Sequence, residues 1–350
     1  MKRDRHKATR GALSAALLAA AVLTACRGRH DATQPLRLQG KAQGTYYSII
    51  YYDSLGRDLQ GAVDTLLTAF DQTASLWVAE SQLRRINENR DSVVDGLFAD
   101  LLTKSVAMHE LTEGCFDCTV GKLVNAWGFG FANREQMSDS LVAALLQYTG
   151  RQPALADAGD GRYIVRKPHA ETELDFNAIA QGYSTDMVAQ LLERHGISNY
   201  LVDIGGEVYT HGCKPDGSLW SVGVERPAEN RYSSPEVETS IQLSGLSVVT
   251  SGNYRKYYEK DGVRYSHTID PKSGYPVEHT LLSVSVVDSS AWRADALATA
   301  FMVMGLERAL AFIREHPDDS GTQAVFFIYN EDGHYKTYAT PGFEKLISKQ

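Results

Sequence analysis

The chain has 350 residues, of which 43% are hydrophobic and 22% are charged, and its formal net charge at pH 7 is −8. This composition is ordinary for a globular protein, and the length suits one large domain or two closely packed ones. Because binding to nucleic-acid phosphates needs surface lysine and arginine, an acidic chain of this kind is not expected to bind nucleic acid.

The first 25 residues have the pattern of a secretory signal peptide. Five lysines and arginines precede an apolar stretch over residues 13–23, which is shorter than the roughly 20 residues that a membrane-spanning helix needs. The stretch ends Leu23-Thr24-Ala25-Cys26, which resembles a bacterial lipobox. We therefore predict cleavage before Cys26, lipidation of its thiol, and anchoring to the periplasmic side of the inner membrane. The alternative is an ordinary signal peptide followed by a chance cysteine.

Removal of this leader would take away five basic residues and one aspartate, so the processed chain would carry −12 rather than −8. Residues 26–37 would then form a lipidated tether, and residues 38–350 the folded domain. Only Cys115, Cys118 and Cys213 would remain as free thiols, which is an odd number and too few for a disulfide framework.

The hydrophobic pattern of the predicted domain mixes strands with helices. Alternating, β-rich residues predict strands over residues 38–52, 163–165, 173–176, 200–204, 220–265, 282–287 and 324–338, with hairpin turns at 260–262 and 332–333. Apolar residues at helical spacing predict helices over residues 59–70, 97–106, 138–148, 178–194 and 289–315, the last divided near residue 304. Antiparallel strands interrupted by helices, with no flexible linker between them, predict an α+β fold.

Asp295 and Thr299 are spaced i, i+4 in a predicted helix and therefore lie on one face. Their oxygens are hard ligands that suit Mg²⁺ or Ca²⁺ better than zinc. A structural role is the alternative, since a mid-helix threonine often bonds to the i−4 carbonyl and an early aspartate favours the helix dipole. On spacing alone, the structural role is favoured.

The stretch from Ser266 to Pro276 places a histidine and a carboxylate in one short turn. His267 could act as a general base or contact a phosphate, and Asp270 is a second candidate base. A plain turn is the alternative, because Asp, Pro and Gly dominate turns. Arg255 could bind a phosphate through its guanidinium group, although a surface ion pair is its default role.

Several common motifs are missing. Gly121-Lys122 lacks the upstream glycine and the following hydroxyl residue of a P-loop, and no G-x-G-x-x-G or G-x-S-x-G motif is present. Cys115 and Cys118 have a spacing seen in metal sites, but no second pair accompanies them. A zinc site is therefore not expected.

Eight blocks in order resemble the motifs of the ApbE family, the FAD:protein FMN transferases. They are Gly44-Thr45-Tyr46, residues 77–87, residues 116–121 with 127–130, residues 175–183, 202–206, 250–254, 267–271 and 294–305. The resemblance covers nearly the whole chain from residue 38 to the last hairpin. It implies a compact ApbE-type, T-fold-like α+β fold of mostly antiparallel sheet with packed helices.

The resemblance also implies an enzyme activity. The family transfers FMN from FAD to a threonine hydroxyl of a target flavoprotein in a Mg²⁺-dependent reaction that releases AMP. Typical acceptors are subunits of membrane redox complexes. The expected partners are therefore FAD, an acceptor protein with a threonine site, and the membrane through the lipid anchor. An FAD pyrophosphatase and a non-catalytic flavin-binding lipoprotein remain as alternatives.

The resemblance assigns roles to individual positions of this sequence. The metal would be held by the side chains of Asp295 and Thr299 and by the backbone oxygen of Ala178. His267 matches a histidine proposed to aid the chemistry. The positions expected to line FAD are Gln43, Trp77, Cys115, Phe116, Asp117, Asp175, Gln181 and Ile269.

Two of these positions depart from the usual family pattern. Many members have lysine where Gln181 stands, so a charged contact to phosphate is absent or is supplied elsewhere. Tyrosine is common where Trp77 stands, and stacking on an aromatic ring survives that change.

Overall fold

The fold is built on one large antiparallel sheet. The computed structural model describes residues 33–130, 135–227, 236–253, 257–260 and 263–348. The sheet has eight strands in the spatial order β1-β2-β6-β7-β10-β13-β14-β15, and each neighbouring pair is antiparallel. These strands are β1 (Leu36–Ala42), β2 (Thr45–Tyr51), β6 (Tyr200–Ile204), β7 (Glu207–His211), β10 (Leu246–Gly252), β13 (Leu281–Asp288), β14 (Val325–Glu331) and β15 (His334–Ala339).

Smaller sheets complete the β structure of the described residues. A three-stranded sheet has the order β3-β5-β4, and two pairs, β8 with β9 and β11 with β12, stand apart from the main sheet. The strands are β3 (Val93–Asp95), β4 (Ala154–Gly159), β5 (Arg162–Arg166), β8 (Trp220–Arg226), β9 (Glu236–Leu243), β11 (Tyr257–Lys260) and β12 (Val263–Ser266). The mixed α+β class predicted from the sequence is confirmed.

Helices lie between these strands along the chain. They are α1 (Gln60–Ala74), α2 (Gln82–Asn87), α3 (Gly96–Leu111), α4 (Gly121–Ala126), α5 (Asp139–Leu146), α6 (Ala180–Arg194), α7 (Ala291–Glu315), α8 (Ser320–Gln323) and α9 (Pro341–Glu344). The amphipathic stretches predicted as helices all fall within this set. α6 begins at Ala180, two residues after the predicted start.

α7 is the central helix of the core. It packs on β10 and β13 of the main sheet and against α6. Its length and hydropathy would also suit a membrane span, but 67% of that window is buried inside the protein, as in the core helix of a globular domain. Gly305, at φ 73° and ψ 170°, interrupts the helical backbone. The predicted division near residue 304 is therefore correct.

Two predicted strands differ from the structure. Residues 38–52 form a hairpin rather than one strand, because Gln43 and Gly44 take positive φ values of 53° and 74° and reverse the chain. The first strand begins at Leu36, inside the predicted tether. Residues 173–176 form no strand. Glu173 makes only an isolated bridge to Val120, and the backbone N–H of Asp175 donates to the Cys118 carbonyl in a loop contact.

The predicted signal peptide, Cys26 with its lipidation site, and most of the tether lie outside the described residues. Arg255 and the hairpin turn at residues 261–262 also lie outside them.

Candidate active site

The candidate site lies where α6 and α7 are in contact, at Gly182 of α6. A Cβ added to Gly182 would lie 2.3 Å from the carbonyl oxygen of Ala291 and 2.8 Å from Cβ of Asp295. The two helices are therefore in backbone contact at this point, and only glycine fits. The absence of a side chain also exposes the Gly182 N–H, which donates to Oδ2 of Asp295 at 3.0 Å.

Asp295 is a buried carboxylate with few compensating contacts. Its residue is 5% exposed, and burial raises its pKa to about 7, with the Gly182 N–H acting in the opposite direction. A carboxylate in this environment is strongly stabilised by any cation that reaches it. The environment of Asp295 thus favours a metal ligand over the helix-dipole role.

The backbone carbonyl of Ala178 precedes α6 and makes no backbone hydrogen bond among the described residues. In a regular helix the Gly182 N–H would bond to this carbonyl, four residues back. Asp295 takes that N–H instead, and the described part of the chain contains no backbone hydrogen bond to the Ala178 oxygen. A helix-start carbonyl left in this way can bind a cation. The predicted backbone ligand is therefore available.

Thr299 lies one helical turn after Asp295, and its Oγ1 is 3.3 Å from Oγ of Ser251 on β10. In the sequence Ser251 lies in the block of residues 250–254 without an assigned role, so its contact with Thr299 is a finding of the structure. The donor set contains one carboxylate, and among the described residues no group of three or more His, Cys, Asp or Glu side chains is placed to hold a metal. A set of one carboxylate with hydroxyl and carbonyl oxygens fits Mg²⁺, because this ion is usually bound by only one or two carboxylates. Water or substrate phosphate supplies its other ligands.

A second part of the site surrounds the β1–β2 turn. Gln43 stands in this turn, and both Oε1 and Nε2 of its amide are buried without a hydrogen-bond partner. A buried amide left unpaired is unfavourable, so this side chain is suited to a polar ligand. Gln181 approaches from α6, since a Cβ added at Gly205 would lie 2.5 Å from its Nε2. Trp77, on the loop after α1, is 67% exposed.

The segment from Cys115 to Asp117 is buried. Burial acts to raise the pKa of Asp117, but hydrogen bonds from His109, Thr119 and Gln152 outweigh it and lower the pKa. Cys115 is a free thiol whose pKa is raised by burial. Cys118 is also a free thiol, which leaves the pair unbridged.

The other predicted FAD positions near this segment are also buried. Phe116 is 2% exposed and belongs to the main core. Asp175 is 7% exposed, and burial raises its pKa. Any contact of Phe116 with a ligand therefore involves its backbone or one edge of its ring.

The turn that contains His267 is tied to this centre through β10. Thr268 Oγ1 donates to Oδ1 of Asn253 at 3.0 Å, and Asn253 lies two residues beyond Ser251, whose hydroxyl contacts Thr299. His267 is half-buried, and its ring packs edge-on to Phe129. The turn is therefore linked to the end of β10, the strand whose Ser251 contacts Thr299.

Ile269 and Asp270 shape the turn itself. Ile269 is 6% exposed and pairs with Pro276 in an isolated bridge. The Asp270 carboxylate accepts the Lys272 N–H at 3.0 Å, and its backbone N–H donates to the Tyr275 carbonyl at 2.9 Å. The Asp270 carboxylate is thus used to close the turn.

A buried carboxylate with a hydroxyl group on the same helix face, together with a buried amide that lacks a partner, suits the binding of a phosphate-bearing substrate through a divalent cation. The family model for the ApbE family matches residues 43–326. The chain therefore belongs to the ApbE family, as its ordered motifs predict.

Curated relatives and solved structures agree. The chain is 35% identical over 342 residues to the FAD:protein FMN transferase of Vibrio cholerae serotype O1, covering 95% of this chain and 99% of that protein. It is 34% identical over 324 residues to the FAD:protein FMN transferase of Escherichia coli K12, covering 90% of each. The structure of flavin transferase ApbE from Vibrio cholerae has a TM-score of 0.77 at 34% identity, covering 89% of this chain and 99% of that one. The apo form of Pseudomonas stutzeri flavinyl transferase ApbE also has a TM-score of 0.77, at 33% identity and covering 91% and 98%.

Proposed function

We propose that this chain is a flavin transferase that moves FMN from FAD to a threonine hydroxyl of an acceptor flavoprotein and releases AMP. Its relatives from Vibrio cholerae and Escherichia coli are named FAD:protein FMN transferases. Within this chain, the observation that best supports the reaction is the buried Asp295 carboxylate, whose charge is offset by one backbone N–H, that of Gly182.

In the proposed reaction the threonine oxygen attacks the FMN phosphorus of FAD. A P–O bond forms to the threonine, the bond from that phosphorus to the bridging oxygen breaks, and AMP leaves with the electron pair. No oxidant or reductant is needed, and the threonine proton is lost. Because a hydroxyl is a weak nucleophile near neutral pH, a base within hydrogen-bond reach promotes the attack. His267 is the proposed base, and Asp270 is ranked below it because its carboxylate closes the turn.

We propose Mg²⁺ as the metal. Asp295, Thr299 and the Ala178 carbonyl would hold it, and the Ser251 hydroxyl would orient that of Thr299. When bound, the metal would neutralise pyrophosphate charge and stabilise the leaving phosphate. Gln181 adds a neutral amide where a lysine is usual, so binding of the pyrophosphate would depend more strongly on the metal.

The buried amide of Gln43 provides a test of FAD binding. The Gln43→Met variant keeps the side-chain length and removes the polar atoms that lack partners. We expect FAD affinity to fall about 3- to 10-fold, the effect of one or two lost hydrogen bonds, while the unliganded protein keeps or gains thermal stability. Flavin fluorescence titration and thermal melts measure the two quantities. Gln39→Met, at an exposed position on the same hairpin, should change neither, and unchanged affinity in Gln43→Met would contradict the assigned role.

One assay separates the candidate functions. The soluble domain is incubated with FAD, Mg²⁺ and an acceptor flavoprotein domain, and AMP and acceptor mass are followed together. A transferase gives AMP and an acceptor that carries FMN, a pyrophosphatase gives AMP and free FMN, and a flavin-binding lipoprotein gives neither. We expect the first result, with its rate reduced at least about 100-fold in His267→Ala, the lower end of the range for loss of a general base. AMP without the adduct, on an acceptor that a known family member modifies, would refute the transferase.

We further propose that the enzyme is lipid-anchored through Cys26 on the periplasmic side of the inner membrane. The motif Leu23-Thr24-Ala25-Cys26 after an apolar stretch supports this. Replacement of Cys26 by serine should release the full-length protein from membrane to soluble fractions. Retention of the variant on membranes would argue against the anchor.

A further inference from the structure

The helix that carries the proposed metal ligands is capped from outside its own sequence. α7 begins at Ala291, and Ser290 stands at its N-cap position without a side-chain cap bond. The capping bonds come from α6 instead. Asp186 accepts the Ala291 N–H on Oδ1 at 2.9 Å and the Trp292 N–H on Oδ2 at 3.0 Å. Both carboxylate oxygens therefore accept a hydrogen bond. The negative charge of Asp186 also lies at the positive end of the helix dipole, where it is favourable.

This cap and the glycine contact form a two-point clamp. Gly182 and Asp186 are one turn apart on α6, and Ala291 and Asp295 are one turn apart on α7. Gly182 holds Asp295 through its N–H, and Asp186 holds the first turn through Ala291 and Trp292. Two contacts at different heights define both the translation of α7 along its axis and its rotation. The direction in which Asp295 and Thr299 project depends on these two quantities.

Stability alone is a weak reason for this arrangement. Burial raises the pKa of Asp186 to about 6, and the like charge of Asp288 adds to the rise, while the two backbone N–H groups and Lys104 oppose it. Burial of the ionised Asp186 carboxylate therefore opposes folding in part, which a hydroxyl cap would not do to the same degree. Ser290 already occupies the position from which a hydroxyl could cap the helix without a buried charge. A charged cap is explained if its role is to fix the position of the first turn of α7 rather than to add stability.

We propose that Asp186 is a positioning residue that orients the proposed metal ligands Asp295 and Thr299 by holding the first turn of α7 against α6. The inference rests on the proposed metal site. Asp186 itself contacts neither the metal nor the substrate in this scheme, and it acts through the helix it caps.

The test compares Asp186→Asn with wild type. Asparagine keeps the shape and one acceptor, and it removes the second acceptor and the charge. We expect affinity for Mn²⁺, measured without FAD by electron paramagnetic resonance, to fall about 10- to 100-fold, as when a group that orients a ligand is lost. The Mg²⁺ concentration for half-maximal activity should rise by a similar factor, while kcat at saturating Mg²⁺ recovers to within a few-fold.

A matched control tests for a general loss of stability. Asp95 caps α3 by accepting the Phe98 N–H at 2.9 Å, and α3 carries no proposed metal ligand. Asp95→Ala should lose about 1 kcal/mol of stability and keep wild-type Mn²⁺ affinity. If Asp186→Asn binds Mn²⁺ as wild type does, this inference is overturned and the metal site stands. If wild type itself binds no divalent cation, the metal site and this inference fail together.

Discussion

Replacement of Asp295 by asparagine should abolish metal-dependent transfer. Loss of a group that only orients a metal ligand reduces affinity or activity about 10- to 100-fold, so loss of the proposed carboxylate ligand should reduce activity at least about 100-fold. Mn²⁺ binding measured without FAD should disappear as well. The paired variants Thr299→Ser and Thr299→Val serve as controls, since serine keeps the hydroxyl and valine removes it. Asp295→Asn with wild-type Mn²⁺ affinity would refute the metal assignment.

The same variant should change how stability depends on pH. The pKa of Asp295 in the folded protein is raised to about 7 by burial, so the folded state binds this proton more tightly than the unfolded chain. The stabilisation of the folded state by protonated Asp295 is therefore complete below about pH 4, and it is lost as the pH rises towards 7. Without metal, the free energy of unfolding of wild type should fall over this range relative to Asp295→Asn. Denaturant titrations at several pH values measure the difference, and parallel curves would contradict the burial argument.

Substitution of Gly182 by alanine should damage both the fold and the site. The added Cβ would lie 2.3 Å from the Ala291 oxygen, and backbone cannot yield as a flexible side chain does. Overpacking of this kind lowers stability by about 1–3 kcal/mol. Separation of α6 from α7 would also break the bond from the Gly182 N–H to Asp295, so Mn²⁺ affinity and transfer should both fall, transfer by about 100-fold or more.

The control for Gly182 is another helical glycine. Gly61 lies in α1 with nothing within 4 Å of an added Cβ, so Gly61→Ala should be neutral or stabilising by up to about 1 kcal/mol, because alanine favours helix. Thermal melts and Mn²⁺ titrations of the two variants separate close packing from helix propensity. A folded Gly182→Ala protein with normal metal binding would show that the helices can separate without loss of the site.

The resemblance in sequence was enough to predict much of the site. In the structure Asp295 accepts the Gly182 N–H and Thr299 contacts Ser251, while the amide of Gln43 is buried without a partner; their roles as ligands stay predictions. Local patterns were less reliable where tertiary contacts decide the backbone. Residues 173–176 alternate like a strand, yet the Asp175 N–H donates to the Cys118 carbonyl in a loop.

What the sequence determined by itself was the identity and local spacing of the reactive groups. An i, i+4 pair such as Asp295 and Thr299 shares a face in any helix, because that geometry depends only on the helical repeat. Only the tertiary structure decided which groups act on that pair. Gly182, Asp186 and Ser251 are distant from it in sequence, and no local spacing brings them near. They reach α7 because it packs against α6 and β10. This packing leaves room for only a glycine at Gly182, brings the Asp186 carboxylate to the first turn of α7, and brings the Ser251 hydroxyl to Thr299.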